Sequence, residues 1–148
     1  MLAMFLPLFK EVVLAKNLHR KMLEVARNSY PLEGCGILFG HIDNNKAIIR
    51  DVIETENSAD NPTVRFYIDP ELFYTILISA EESGLEFLGI FHSHPTQPNP
   101  SNWDLEYMKL HQNVWIIIQS LNREEKKLKM KAFQWYNKKL FDVKLKIT

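Results

Sequence analysis

The 148 residues contain one cysteine, Cys35. A lone thiol excludes an intrachain disulfide framework and any CxxC zinc ribbon, which points to a reducing compartment. Net charge is also missing. Eighteen Lys and Arg balance eighteen Asp and Glu, so the total gives no bulk attraction to nucleic acid or to an acidic membrane. No long apolar run is present either. The opening MLAMFLPLF falls far short of the ~20 residues that span a bilayer. It lacks both the basic n-region and the small-residue cleavage site of a secretory signal, because Lys10 and Glu11 follow at once. The expectation is a soluble, cytoplasmic protein with no nucleic-acid or membrane partner. The apolar opening itself reads as a buried or edge β-strand continuing through Val12, Val13 and Leu14. With no repeat, low-complexity run or Gly/Ser linker, and at ~150 residues per domain, residues 1–148 are expected to form a single domain.

The 46% hydrophobic content is that of a globular chain. Apolar positions at Leu18, Met22, Val25 and Ala26 predict a helix over Asn17–Arg27 that stops before Pro31. Gly36–Gly40 reads as a short apolar strand. An Asn-Asn turn then leads into Lys46–Ile53, giving a hairpin. Asp69 as N-cap and Pro70 at the first helical position open a second helix, which runs to Gly84. Phe87–Phe91 predicts a buried strand, Ser101 a third helix, and Val114–Gln119, Lys129–Tyr136 and Leu140–Ile147 three more strands. This alternation predicts an α/β fold, a three-layer-like sandwich with helices over a mixed central sheet. Charge is unevenly spread: residues 1–120 hold 9 basic and 15 acidic side chains, whereas residues 121–148 hold 9 and 3. The basic end reads as the solvated face of a terminal hairpin.

Chemistry concentrates in FHSHPTQPNPSNWD. His92 and His94 stand at i and i+2, so a strand presents both on one face. Their Cα atoms are about 7 Å apart when extended, which lets both imidazoles meet one ion at ~2.0–2.1 Å. Pro95 keeps His94 extended. The helix opened by Ser101 then returns Asp104 as a possible oxygen ligand. Two His and one carboxylate leave an open coordination position, the pattern of a catalytic zinc site. Water in that position is acidified to a pKa near ~7 and needs a general base. Ser101-x-x-Asp104 is equally a capping box, so Asp104 has a structural reading beside the metal one. Spacing does not choose the base among the glutamates. Glu33 stands out only because it opens EGCGILFG, whose small residues permit close backbone approach. His111, seven residues after Asp104 on the same helix face, reads as a surface or partly buried position, with an outer contact to the site as the alternative.

HSHP with its Pro-rich loop and SNWD, an upstream Glu in PLEGCGILFG, and ENSADNPTVRFYIDPE between them together resemble the JAMM/MPN+ metalloprotease family. The likeness runs from about Tyr30 to Gln119. It implies a JAMM/MPN, cytidine-deaminase-like fold and one Zn2+ per chain, held by His92, His94 and Asp104. By the same resemblance Glu33 is the general acid/base and Ser101 stabilises the oxyanion, while Ser93 and Pro95 fall on the motif without a chemical role. The loop from His94 to Ser101 is one residue shorter than the family pattern. The implied activity is cleavage of peptide or isopeptide bonds after the C-terminus of a ubiquitin-like or sulfur-carrier protein, by a stand-alone prokaryotic type of enzyme. The oligomeric state, homodimer included, stays open.

Three other readings use the same residues. Cys35 with His92 or His94 would make a thiol hydrolase. Two His and one carboxylate also hold non-haem iron. A non-catalytic scaffold of the same fold is the third. Trp103 reads either as a substrate-facing aromatic or as helix packing. An extended substrate tail is expected to add to a strand edge.

Overall fold

The computed structural model describes residues 6–120 and 128–148. In chain order its elements are β1 (Glu11–Leu14), α1 (Lys16–Ser29), β2 (Cys35–Asp43), β3 (Lys46–Thr55) and α2 (Pro70–Glu82). They continue as β4 (Glu86–His94), α3 (Asn102–Leu110), β5 (Val114–Gln119), β6 (Met130–Tyr136) and β7 (Lys139–Ile147). Local chemistry explains most boundaries. Asp69 caps α2 by accepting the Leu72 N–H, with Pro70 at its first position. The two tight hairpins turn through residues at positive φ, Asn44-Asn45 and Asn137-Lys138. Asparagine tolerates that region, and such turns match the twist of the strands they join.

The strands form one mixed sheet in the order β1-β3-β2-β4-β5-β6-β7. β1 runs parallel to both β3 and β7, which curls the sheet closed. The closure is partial: β1 pairs with β3 only at Lys46–Ile48, so the rest of that β3 edge, to Thr55, has no strand partner on this side among the described residues. Alternation along the strands sorts the core into layers. On β5, Val114, Ile116 and Ile118 pack with Met22, Val25 and Ala26 of α1. Trp115 and Ile117 face the other way, with Met108 of α3. On β2, Ile37 and Phe39 meet Leu77 and Ala80 of α2. Helices thus cover the sheet on two sides, as expected from the sequence.

Close approach at Gly36 locks β2 against its neighbours: a Cβ there would lie 2.3 Å from the Phe91 ring and 2.4 Å from the Ile53 carbonyl oxygen. This holds β2 and β4 in the register that sets Cys35 opposite His92.

One expectation is corrected. The apolar opening is not a strand up to β1: residues 6–9 carry no strand pairing, and residues 1–5 lie outside the described residues. Pro7 has no N–H to give a ladder, and the buried side chain of Gln134 takes the place of one. It accepts the Phe9 N–H at 2.9 Å and donates to the Pro7 carbonyl at 2.8 Å. Phe9 is still buried, 3% exposed, while Leu6, Pro7 and Leu8 are half-buried. On the terminal hairpin, Lys138, Lys139, Lys144 and Lys146 are exposed, whereas Lys126 and Lys127 lie outside the described residues.

Candidate active site

His92 and His94 occupy the last turn of alternation on β4, the strand held between β2 and β5. Their rings meet edge to face, and their Nε2 atoms are 3.0 Å apart. After the six-residue loop the chain enters α3 through a complete capping box: Ser101 Oγ accepts the Asp104 N–H at 3.1 Å, and Asp104 Oδ2 accepts the Ser101 N–H at 2.9 Å. That same Oδ2 lies 3.1 Å from His92 Nε2 and 3.0 Å from His94 Nε2. The shortened loop therefore delivers Asp104 fully, and its capping and site positions coexist. Ligand atoms held at ~2.0–2.1 Å by a tetrahedral ion stand about 3.4 Å apart. The observed triangle of two imidazole nitrogens and one carboxylate oxygen is close to that spacing, so these residues fit a small cation.

Glu33 comes from the short segment before β2. Its Oε2 is 3.9 Å from His94 Nε2, and its ligand atom lies within 4.8 Å of those of both histidines. Glu33 and Asp104 both approach the histidine pair, but Asp104 does so symmetrically and about an ångström closer. Glu33 Oε1 is buried with no hydrogen-bond partner among the described residues. So is His92 Nδ1, the ring nitrogen on the side away from His94 and Asp104. An orphaned Glu33 oxygen beside the histidines fits a site built for a polar ligand.

Electrostatics separate the two carboxylates. Burial raises Glu33 from 4.5 to about 7; the His94 charge opposes this and Asp104 reinforces it. Burial also pushes Asp104 upward, but the His92 charge and hydrogen bonds from both imidazoles and Ser101 hold it well below the usual carboxylate range. One acid is therefore poised near neutrality while the other stays ionised, a division that hydrolytic sites exploit. His92 is lowered, chiefly by burial. For His94 burial again lowers, yet Asp104, Glu33 and the Gln97 carbonyl together raise it. His94 Nδ1 lies 3.2 Å from the Gln97 carbonyl oxygen. That oxygen only accepts, so Nδ1 carries a proton and Nε2 is the nitrogen that faces Asp104.

Several neighbours were not singled out from the sequence. Phe66 stacks on His92 with centroids 4.4 Å apart, and Trp115 meets the same ring edge-on. Both also line an apolar cavity of about 440 Å³ with Phe73, Tyr74 and Tyr107. Ser93, read as having no chemical role, ties β4 to the Glu33 segment: its Oγ accepts the Gly34 N–H at 2.8 Å and its N–H donates to the Gly34 carbonyl at 2.9 Å. ENSADNPTVRF carried the signal for Asn57 and Phe66 only as part of a family likeness. Trp103 is 39% exposed, with its ring 5.5 Å from that of Tyr107 one turn along α3 and the Arg65 guanidinium 4.5 Å above it, which fits the helix-packing reading. His111 stacks on Tyr107 at the end of α3, outside the Glu33–His92–His94 group. Cys35 is buried against Thr55, and burial pushes its thiol up to about 11. A thiol so placed is a poor nucleophile.

Residues 15–136 match the Prok-JAB family, prokaryotic homologs of the JAB domain. The chain belongs to this family. It is 37% identical over 111 residues to a desampylase of Pyrococcus furiosus, covering 74% of this chain and 75% of that one. Identity is 32% over 113 residues to a desampylase of Haloferax volcanii, covering 76% of each. Among solved structures, protein DSY2949 of Desulfitobacterium hafniense superposes with a TM-score of 0.79 at 28% identity, over 93% of this chain and 92% of that one. This Prok-JAB protein is accordingly an enzyme, a hydrolase of the JAMM/MPN class with a mixed α/β fold. Among the described residues no helix is long and apolar enough to cross a membrane.

Proposed function

We propose that this protein is a zinc-dependent metallo(iso)peptidase, its 148 residues acting as a single domain. The bond cleaved is a peptide or isopeptide bond following the C-terminus of a ubiquitin-like or sulfur-carrier protein. The observation that carries the reading is the convergence of His92 Nε2, His94 Nε2 and Asp104 Oδ2 within 3.0–3.1 Å of one another. The desampylase relatives support the substrate class.

In this reading His92, His94 and Asp104 hold the ion. Bound there, zinc would supply Lewis acidity toward a water and the scissile carbonyl. Glu33, raised to about 7, accepts the proton of the attacking water and passes it to the leaving amine. Ser101 Oγ accepts from the Asp104 N–H, which leaves its own proton to donate to the developing oxyanion. Phe66 and Trp115 shield His92 from water, which strengthens every charge interaction in the site.

The test is cleavage of a ubiquitin-like protein carrying a C-terminal extension, together with metal quantification. Zinc at one per chain, with cleavage abolished by a chelator and restored by zinc, is the expected result. Iron in place of zinc, or cleavage indifferent to chelation, contradicts the proposal.

A further inference from the structure

Glu33 precedes β2, which begins at Cys35, and β4 reaches its segment at the next residue, Gly34, through Ser93, leaving Glu33's own N–H and carbonyl to be held from elsewhere. Its place is set by a different device. The side-chain amide of Asn57 donates to the carbonyls of Glu33 at 2.8 Å, Arg65 at 3.0 Å and Pro62 at 3.3 Å. Its Oδ1 accepts the N–H groups of Ala59 and Tyr67, both at 3.1 Å. Glu33 N–H in turn donates to the Pro62 carbonyl at 2.8 Å. One half-buried amide therefore ties the Glu33 backbone to both ends of the loop that carries Phe66 onto His92.

We infer that Asn57 is a positioning residue for the reaction: it sets the Glu33 carboxyl against the histidine pair. The inference rests on the proposed role of Glu33. Asn57 bonds to none of His92, His94 and Asp104, which are placed by β4 and α3, so it acts on turnover without holding the ion. Displacing a reacting group by an ångström costs about 10²-fold in rate, and that is the loss assigned to Asn57.

The test compares wild type, Asn57→Ala, Glu33→Gln and the double variant as full-length, zinc-loaded proteins on the extended ubiquitin-like substrate. Asn57→Ala is expected to lose about 10²-fold in kcat while zinc affinity and KM stay within a few-fold. Hydrogen exchange at the Glu33, Ala59 and Tyr67 amides should accelerate, with the β4 amides unchanged. In the Glu33→Gln background the Asn57 substitution should cost almost nothing further, because residues acting through one another are non-additive. Asn57→Asp serves as second variant should the alanine fail to fold. It keeps the Oδ1 contacts and sets an acceptor against three carbonyls, so it too should lose kcat. An Asn57 variant with kcat within twofold of wild type, or a full loss persisting in Glu33→Gln, overturns the inference. Wild type and Glu33→Gln turning over alike overturns instead the reading of Glu33 on which it rests.

Discussion

Asp104 Oδ2 stands 3.0 Å from His94 Nε2 while accepting the Ser101 N–H at 2.9 Å. A single carboxylate oxygen thus ends the N-terminal turn of α3 and faces the imidazoles of β4. The helix start and the proposed cation site share this oxygen, so neither can shift without the other.

That sharing separates the effects of two substitutions. Ser101→Ala removes the cap acceptor and should cost about 1 kcal/mol in urea unfolding. It should also lower kcat by about 10²–10³-fold through the lost oxyanion donor, with zinc stoichiometry intact. Asp104→Asn should instead abolish stoichiometric zinc binding by isothermal titration. Equal zinc affinity in the two variants contradicts this division.

Glu33 gives the chelated protein a pH signature. Its carboxyl loses its proton near 4.5 when unfolded and near 7 when folded. A folded pKa above the unfolded one contributes stability that is complete below 4.5 and is lost as pH rises to 7. At 1.36 kcal/mol per unit the loss is on the order of 3 kcal/mol. Glu33→Gln has no such proton to lose, so it should stabilise the chelated protein more at pH 8 than at pH 4.5. Denaturant titrations at the two pH values check this, and a pH-independent difference contradicts it.

Cys35 should be chemically silent. Its thiol is fully buried and raised to about 11, so at pH 8 iodoacetamide should label it only after unfolding and should leave turnover unchanged. Stoichiometric labelling of the native protein, with loss of activity, would return the thiol-hydrolase reading.

Phe66, 6% exposed, both fills the core and covers His92. Phe66→Leu keeps most of the volume but removes the stacked ring. Zinc affinity should fall about tenfold, a loss typical of groups that orient a metal ligand, with a stability cost below about 1.5 kcal/mol. Unchanged zinc affinity would show that the stack plays no part in orienting His92.

These predictions draw on residues that differ in how readily the sequence reveals them. Local chemistry was plain: Asp69-Pro70 opens α2, the paired asparagines turn the first hairpin, and HSHP with SNWD sets two imidazoles and a carboxylate on a strand end and a helix start. Ser101 and Asp104 carried a capping and a metal reading at once, and the geometry shows why one does not displace the other. Contacts between distant segments left no such trace. β1 pairs with β3 and β7 through residues as far apart as Glu11 and Lys144, and Gln134 substitutes for a strand ladder at Pro7 and Phe9. Neither produces a periodicity. Phe66 and Asn57 lie in an irregular segment whose value depends on what it folds against. Small neighbours set Glu33 apart in the sequence, but its assignment as acid/base comes through family likeness, because its burial and nearness to His94 are tertiary.

The most direct measurement is zinc content alongside turnover for Glu33→Gln and His92→Ala. The account predicts that Glu33→Gln keeps one zinc per chain yet loses cleavage, whereas His92→Ala loses both. Cleavage surviving in Glu33→Gln, or stoichiometric zinc remaining in His92→Ala, would contradict it.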